Sequence, residues 1–236
     1  MYSCAGSPEC AELAIGPESG MADSITTAFV PESKCLYFIF GGIQGGVGMP
    51  PYEFYRSASV LDANKVFLRD LAQAWYQHGI PELGQSLSDI DAYLVSVIKR
   101  VQATKVRFVG NSMGGFAALL FCARTRHGSA IAFAPQTFIS PELRATHGDN
   151  RWPVQMNQLH RSLTGKETLD LRQIVLGSHP TLAARIYVAR DDRLDMIHAH
   201  YLADCPNVCV HEVDVGGHAL VTALRDSGKL IEILNA

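Results

Sequence analysis

The chain has 236 residues, 47% of them apolar and 18% charged, with 20 basic against 23 acidic side chains. That length suits one domain, the apolar share supplies a core, and a net charge of −3 offers no footprint for a nucleic-acid backbone. The longest apolar-plus-glycine run, Met113 to Ala123, is far short of the ~20 residues that span a bilayer, and the first residues lack the basic and apolar regions of a signal peptide. A chain without membrane insertion or nucleic-acid partner, located in the cytoplasm, is the expectation.

The elements follow in chain order. The first 34 residues are polar and punctuated by glycine and proline, with weak extended segments at Ala11–Ile15 and Ile25–Val30. Cys35 to Phe40 is a short apolar run closed by Gly41-Gly42, the pattern of a buried strand, and Lys65–Leu68 is another. Ser88-Asp89 can cap a helix whose Ile90, Tyr93, Leu94, Val97 and Ile98 share one face. Lys105–Val109 reads as a strand, Met113–Arg124 as a helix, and Ala130–Phe133 and Arg185–Ala189 as strands. A helix over about Met196–Leu202, a strand over Asn207–Val213 and a helix over Ala219–Leu234, interrupted near Gly228, complete the chain. Apolar strands alternating with helices predict a mostly parallel sheet covered on both faces. The stretch from Pro135 to Pro180 breaks this rhythm, being too long for an ordinary connection. It carries Trp152, Met156, Leu159 and Leu163, which predicts a helical insertion at about 136–180 lying over the sheet.

The chemistry concentrates where the Lys105–Val109 strand runs into Gly110-Asn111-Ser112-Met113-Gly114-Gly115 and then a helix. This is G-x-S-x-G in the strand-to-helix setting it requires, where the sharp turn admits only small neighbours and the helix N-terminus presents N–H groups to an anion. The bare string arises by chance about 0.1 times in a chain of this composition, so its weight comes from the partners that follow. A serine hydroxyl needs an imidazole to take its proton and a carboxylate to orient that imidazole. In chain order these should come as serine, acid, histidine, at the C-terminal ends of strands. Of nine histidines, His218 alone follows the terminal strand, behind Gly216-Gly217. Asp192, about three residues past the Arg185–Ala189 strand, is the preferred acid. Asp191 could cap a turn or meet solvent, Asp195 could be a helix N-cap, and Asp214 sits directly at a strand end.

These residues, with the glycine loop after Phe40, resemble the α/β-hydrolase superfamily from about Cys35 to Leu234. The resemblance implies a single α/β-hydrolase domain over 1–236, of eight strands or slightly fewer, with a lid after the sixth. It implies catalytic Ser112, Asp192 and His218, and an oxyanion hole from the backbone N–H groups of Gly42 and Met113, with Ile43 as an alternative to Gly42. Phe40-Gly41-Gly42 replaces the usual His-Gly-x, a change that a backbone donor tolerates. The expected activity is that of a serine hydrolase cleaving an acyl bond (ester, thioester or amide) of a small-molecule substrate, with no metal or cofactor. An acyltransferase or cyclase using the same triad, or a ligand-binding protein without catalysis, are the alternatives on this fold. No feature specifies an oligomeric state.

Weaker signals have plainer readings. The glycine loop 41–48 lacks the Lys-Ser/Thr of a phosphate loop, and Met49-Pro50-Pro51 stands where its helix should start. Tyr52, Phe54 and Tyr55 could line an acyl pocket or pack on the sheet edge. Arg69 could receive a carboxylate, but contact with Asp70 is the preferred reading. His198 and His200, two apart on a helix, point different ways and read as surface histidines. Trp152, Met156 and His160 could touch substrate or bury the insertion. The six cysteines form no C-x-x-C pair or zinc set, and Cys35, Cys122 and Cys209 read as small hydrophobes.

Overall fold

A computed structural model describes residues 24–43, 54–177, 182–214 and 216–236. Its strands are β1 (Ile25–Ala28), β2 (Cys35–Phe40), β3 (Asn64–Leu68), β4 (Lys105–Asn111), β5 (Ser129–Phe133), β6 (Ala183–Ala189) and β7 (Val208–Val213). They form one sheet in the order β1-β3-β2-β4-β5-β6-β7, antiparallel only where β1 meets β3. The helices are α1 (Tyr55–Ser59), α2 (Leu87–Arg100), α3 (Met113–Thr125), α4 (Pro141–His147), α5 (Pro153–Arg161), α6 (Leu171–Leu176), α7 (Arg193–His200), α8 (Leu220–Asp226) and α9 (Lys229–Asn235).

Continuous apolar strands arise because both faces are covered. Along β2, Leu36, Phe38 and Phe40 join one buried cluster with α2 and α3, while Tyr37 and Ile39 join another with α8 and α9. The period-2 alternation of a strand thus feeds two apolar layers. β4 lies between β2 and β5 with Phe108 opposite Phe38 and Gly110 opposite Phe40 and Ala132, so the end of β4 emerges mid-sheet. Chain order reverses about this strand, the position where open α/β sheets place their sites.

The predicted strands are all present within a residue or two where they are described. Ala11–Ile15 lies outside the described residues. Helix α2 starts earlier than predicted. Its cap is Ser86, whose Oγ accepts from Asp89 N at 3.3 Å and donates to Asp89 Oδ2 at 2.6 Å, rather than Ser88. A capping pair of this kind stands three positions apart, as Ser86 and Asp89 do. The stretch 136–177, between β5 and β6, contains α4, α5 and α6, and Met156, Leu159, Leu171 and Val175 bury against the main core. Among the described strands it follows the fifth, β5.

Cys35, Cys122, Cys205 and Cys209 are free thiols. Cys122 is buried, and that burial pushes its thiol up to about 12, while Cys209 is exposed on the edge strand β7 instead of buried. Among the described residues no helix is long and apolar enough to cross a membrane.

The start of α3 is pressed onto the sheet. A Cβ on Gly114 would collide with the carbonyl oxygen of Phe40, and one on Gly110 with that of Gly114. Gly114→Ala is therefore expected to lower stability by about 1–3 kcal/mol, the range for overpacking, read as a shift of the denaturation midpoint in urea.

Candidate active site

Ser112 joins β4 to α3 with φ 55° and ψ −120°, a conformation a non-glycine residue adopts only under constraint. Its N–H is held by Phe133 O at 2.9 Å, and Gly110, Gly114 and Gly115 remove the side chains that would prevent the turn. The hydroxyl lies 2.9 Å from His218 Nε2. Residues 106 positions apart meet because β4 and the loop after β7 end at the same rim of the sheet.

The carboxylate that meets the imidazole is that of Asp195, not Asp192. Asp195 Oδ2 lies 2.7 Å from His218 Nδ1, and its side chain is fully buried where that of His218 is 29% exposed. Asp192 is the N-cap of α7, its Oδ1 accepting from Asp195 N at 2.9 Å. The preferred acid and the helix cap are thus exchanged relative to the sequence expectation. Helical side chains lean toward the helix N-terminus, so a residue in the first turn projects past the helix start, whereas the cap spends its carboxylate on the backbone. The Asp-x-x-Asp spacing, a capping-box pattern, was the available signal.

The remaining aspartates have other partners. Asp191 accepts from Gly216 N and Gly217 N at 3.3 and 2.9 Å, fixing the loop that carries His218. Gly216 there has φ 137°, open to glycine and closed to other residues. Asp214 pairs with Arg190 at 2.7 Å.

Behind Asp195 lies a charge cluster that sequence reasoning missed. Arg151, between α4 and α5, donates to Asp195 Oδ1 at 2.6 Å and to both oxygens of Asp149 at 3.1 Å. Asp149 also meets His198 Nε2 at 2.9 Å, and Arg144 stands 3.4 Å away. His198 Nδ1 accepts from Thr137 N at 3.0 Å, which places the ring proton on Nε2, facing the carboxylate. His198 is fully buried, contrary to the surface expectation, while His200 is exposed and meets Glu212. The partners of His198 are 49 and 61 residues away, so no local pattern announced them.

Burial pushes the carboxyls of Asp149 and Asp195 up, but the bonds from His198 and Arg151 to the first, and from His218 and Arg151 to the second, leave both below the ordinary range. Burial pushes the His198 imidazole down, against the pull of Asp149. Asp192, Asp195 and His218 place potential ligand atoms within 4.8 Å of one another. Both Asp195 oxygens are already taken, one by a guanidinium, so the trio fits a cation poorly.

On the other side, Gln136 is fully buried and its Nε2 lies 2.9 Å from Ser112 Oγ. Its Oε1 accepts from Trp75 Nε1 at 3.1 Å. The loop bearing Trp75 wraps Asp70, whose carboxylate accepts from Ala72 N, Ala74 N and Tyr76 N; the carboxylate is held by its own loop. Tyr76 Oη bonds Gly41 O at 3.0 Å, while Gly41 N is bonded to Leu68 O. The next N–H groups along that chain are those of Gly42 and Ile43. Gly41 packs at the Gly114 turn, and Met113, first residue of α3, has no acceptor one turn earlier in the helix.

Trp152 lies beside the imidazole, its ring 6.1 Å from that of His218. Met156 is core, and His160 bonds Ile139 O at 2.8 Å. Phe54 is buried against Phe133, Tyr55 is half exposed against Phe67, and Tyr52 lies outside the described residues.

No family model and no curated protein matches the sequence. Solved structures do match. The capsule O-acetyltransferase of Neisseria meningitidis serogroup A is 14% identical with a TM-score of 0.64, the match covering 88% of this chain and 90% of that one. MenH from S. aureus is 14% identical at TM-score 0.58, covering 91% and 98%. Carboxylesterase CesB (YbfK) from Bacillus subtilis is 14% identical at TM-score 0.53, covering 87% and 84%. The chain has the α/β-hydrolase fold.

The titration directions predict how stability depends on pH. The imidazoles of His198 and His211 sit below their ordinary value because of burial, so the unfolded chain takes up protons that the folded chain refuses. Stability is expected to fall as pH drops below about 6.5. The Asp149 and Asp195 contributions, complete above the ordinary carboxylate pKa, are lost as pH falls further through their depressed values. Thermal denaturation from pH 8 to 4 checks this; a midpoint that rises between pH 7 and 5 would contradict it.

Proposed function

We propose that the protein is a serine hydrolase that cleaves an acyl bond through an acyl-Ser112 intermediate. The observation that carries this reading is the continuous contact from Ser112 Oγ through His218 to buried Asp195, at 2.9 and 2.7 Å. Ser112 attacks the carbonyl carbon, His218 accepts its proton, and Asp195 holds the imidazole and balances its charge. The backbone N–H groups of Gly42 and Met113 face the developing oxyanion, each worth on the order of 3 kcal/mol of barrier. Water activated by His218 then releases the acyl group. No step requires a metal or organic cofactor.

The insertion at 136–180 serves as a lid within a single domain. Its Trp152 borders the imidazole and its Arg151 is tied to Asp195, so the lid and the acid are held together. The substrate class is a small carboxylic ester or thioester. A binding-only role would need no serine, imidazole and acid in register, which weighs against it.

A second reading is transfer of the acyl group to another hydroxyl. It is favoured by the likeness in fold and length to the capsule O-acetyltransferase, and it uses the same intermediate. Product analysis with added alcohol acceptors separates the two.

Ser112→Ala is expected to abolish labelling by a fluorophosphonate probe and hydrolysis of p-nitrophenyl acetate. Labelling that persists in this variant would refute the assignment. Between the acids, Asp195→Asn is expected to lower kcat on the order of 10³- to 10⁴-fold, as for the acid of other triads. Asp192→Asn, which preserves a good N-cap, should stay within about threefold of wild type. Steady-state kinetics on the two variants decides which carboxylate serves the imidazole.

A further inference from the structure

We infer that Gln136 is a fourth catalytic residue: its side-chain amide donates to Ser112 Oγ, turns the serine proton toward His218, and stabilises Oγ when the acyl-enzyme breaks down. The inference rests on Ser112 being the nucleophile, as proposed above.

The direction of each hydrogen bond follows from donor chemistry. An indole N–H can only donate, so the Gln136 atom 3.1 Å from Trp75 Nε1 is the amide oxygen. The amide nitrogen therefore faces Ser112 Oγ at 2.9 Å, and it too can only donate. Ser112 has one hydrogen. With a lone pair taken by Gln136, that hydrogen is directed to the other neighbour, His218 Nε2 at 2.9 Å. His218 then carries its proton on Nδ1, facing Asp195. Trp75, Gln136, Ser112, His218 and Asp195 form one chain in which every proton points the same way.

The amide is built in. Trp75 and Gln136 are fully buried, where an unpaired polar group is costly. The adjacent Thr137 is held on three sides: its N–H by His198 Nδ1, its carbonyl by Leu171 N, and its hydroxyl by His198 O at 2.8 Å. Trp75 is held by the Asp70 loop, in which its own φ is 52°.

In acylation the Oγ–C bond forms, the hydroxyl proton passes to His218 and the carbonyl π pair moves onto its oxygen. In breakdown of the acyl-enzyme water adds, the Oγ–C bond breaks with its pair on Oγ, and His218 returns a proton there. Gln136 acts in both steps: in attack it keeps the serine proton directed at His218, and at the departure of Oγ negative charge builds on that atom and the donor bond to it strengthens.

The test measures the second-order rate of fluorophosphonate labelling, p-nitrophenyl acetate turnover and melting temperature together. Gln136→Leu is expected to slow both reactions about tenfold and to lower the melting temperature, since the Trp75 indole is left unpaired. Trp75→Phe/Gln136→Leu, with both polar partners gone, should recover the melting temperature while the tenfold deficit persists. Gln136→Glu retains an acceptor for Trp75 but, once ionised, draws the serine proton away from His218. Its rate should fall relative to wild type as pH rises through the titration of the new carboxyl.

Wild-type rates in Gln136→Leu, recovery of rate together with stability in the double variant, or a Gln136→Glu profile parallel to wild type would each overturn the inference. A wild-type chain that does not label would instead overturn the nucleophile assignment, and this inference with it. Labelling lost in Ser112→Ala but unchanged in Gln136→Leu overturns this inference alone.

Discussion

Everything at the site depends on one backbone conformation, the φ of 55° at Ser112. A non-glycine residue is held there only because the strand before it and the helix after it are both fixed. Phe133 O binds its N–H, and three glycines let α3 lie against the ends of β2, β4 and β5. The same close approach brings the Gly41–Ile43 loop beside the first turn of α3. The hydroxyl and the loop beside it are therefore placed by a single packing event. Strain is stored where the surroundings over-determine the turn.

The second organising feature is charge balance in a water-poor cluster. Two buried carboxylates, Asp149 and Asp195, share the Arg151 guanidinium, with Arg144 beside Asp149. Two cations and two anions cancel when His198 is neutral, the state that burial favours. Such a cluster adds little net stability compared with apolar packing, yet removing one member strands a buried charge. Here it gives specificity of position: Arg144, Asp149 and Arg151 belong to the insertion, while Asp195 and His198 belong to α7. The insertion and the acid that meets His218 are locked by the same bonds.

Individual residues show how much of this the sequence carried. The central strands were legible as apolar runs, Cys35–Phe40 and Ala130–Phe133 most plainly, and α3 because Gly110-Asn111-Ser112-Met113-Gly114 sits between a strand and a helix. His218 was legible because Gly216-Gly217 marks a loop after the last strand. The acid was placed one helical turn early. Periodicity located the body of α7 but not its first turn, and the choice between Asp192 and Asp195 turns on which of them is the cap. Gln136, Trp75, Arg151 and His198 were not found as site residues. Each is an ordinary residue type in an unremarkable local context, and its role comes from partners dozens of positions away.

Local chemistry in the chain was enough to specify the alternation of strands and helices, the strained serine turn, and the order of serine, acid and histidine. These are properties of neighbours along the polymer: side-chain periodicity, glycine spacing and turn composition. Which aspartate reaches the imidazole, which histidine is buried, and that an amide from the loop after β5 faces the serine oxygen were settled by folding. Those outcomes depend on donors and acceptors converging from separate strands into a space closed to water, and a one-dimensional pattern holds no record of such distances.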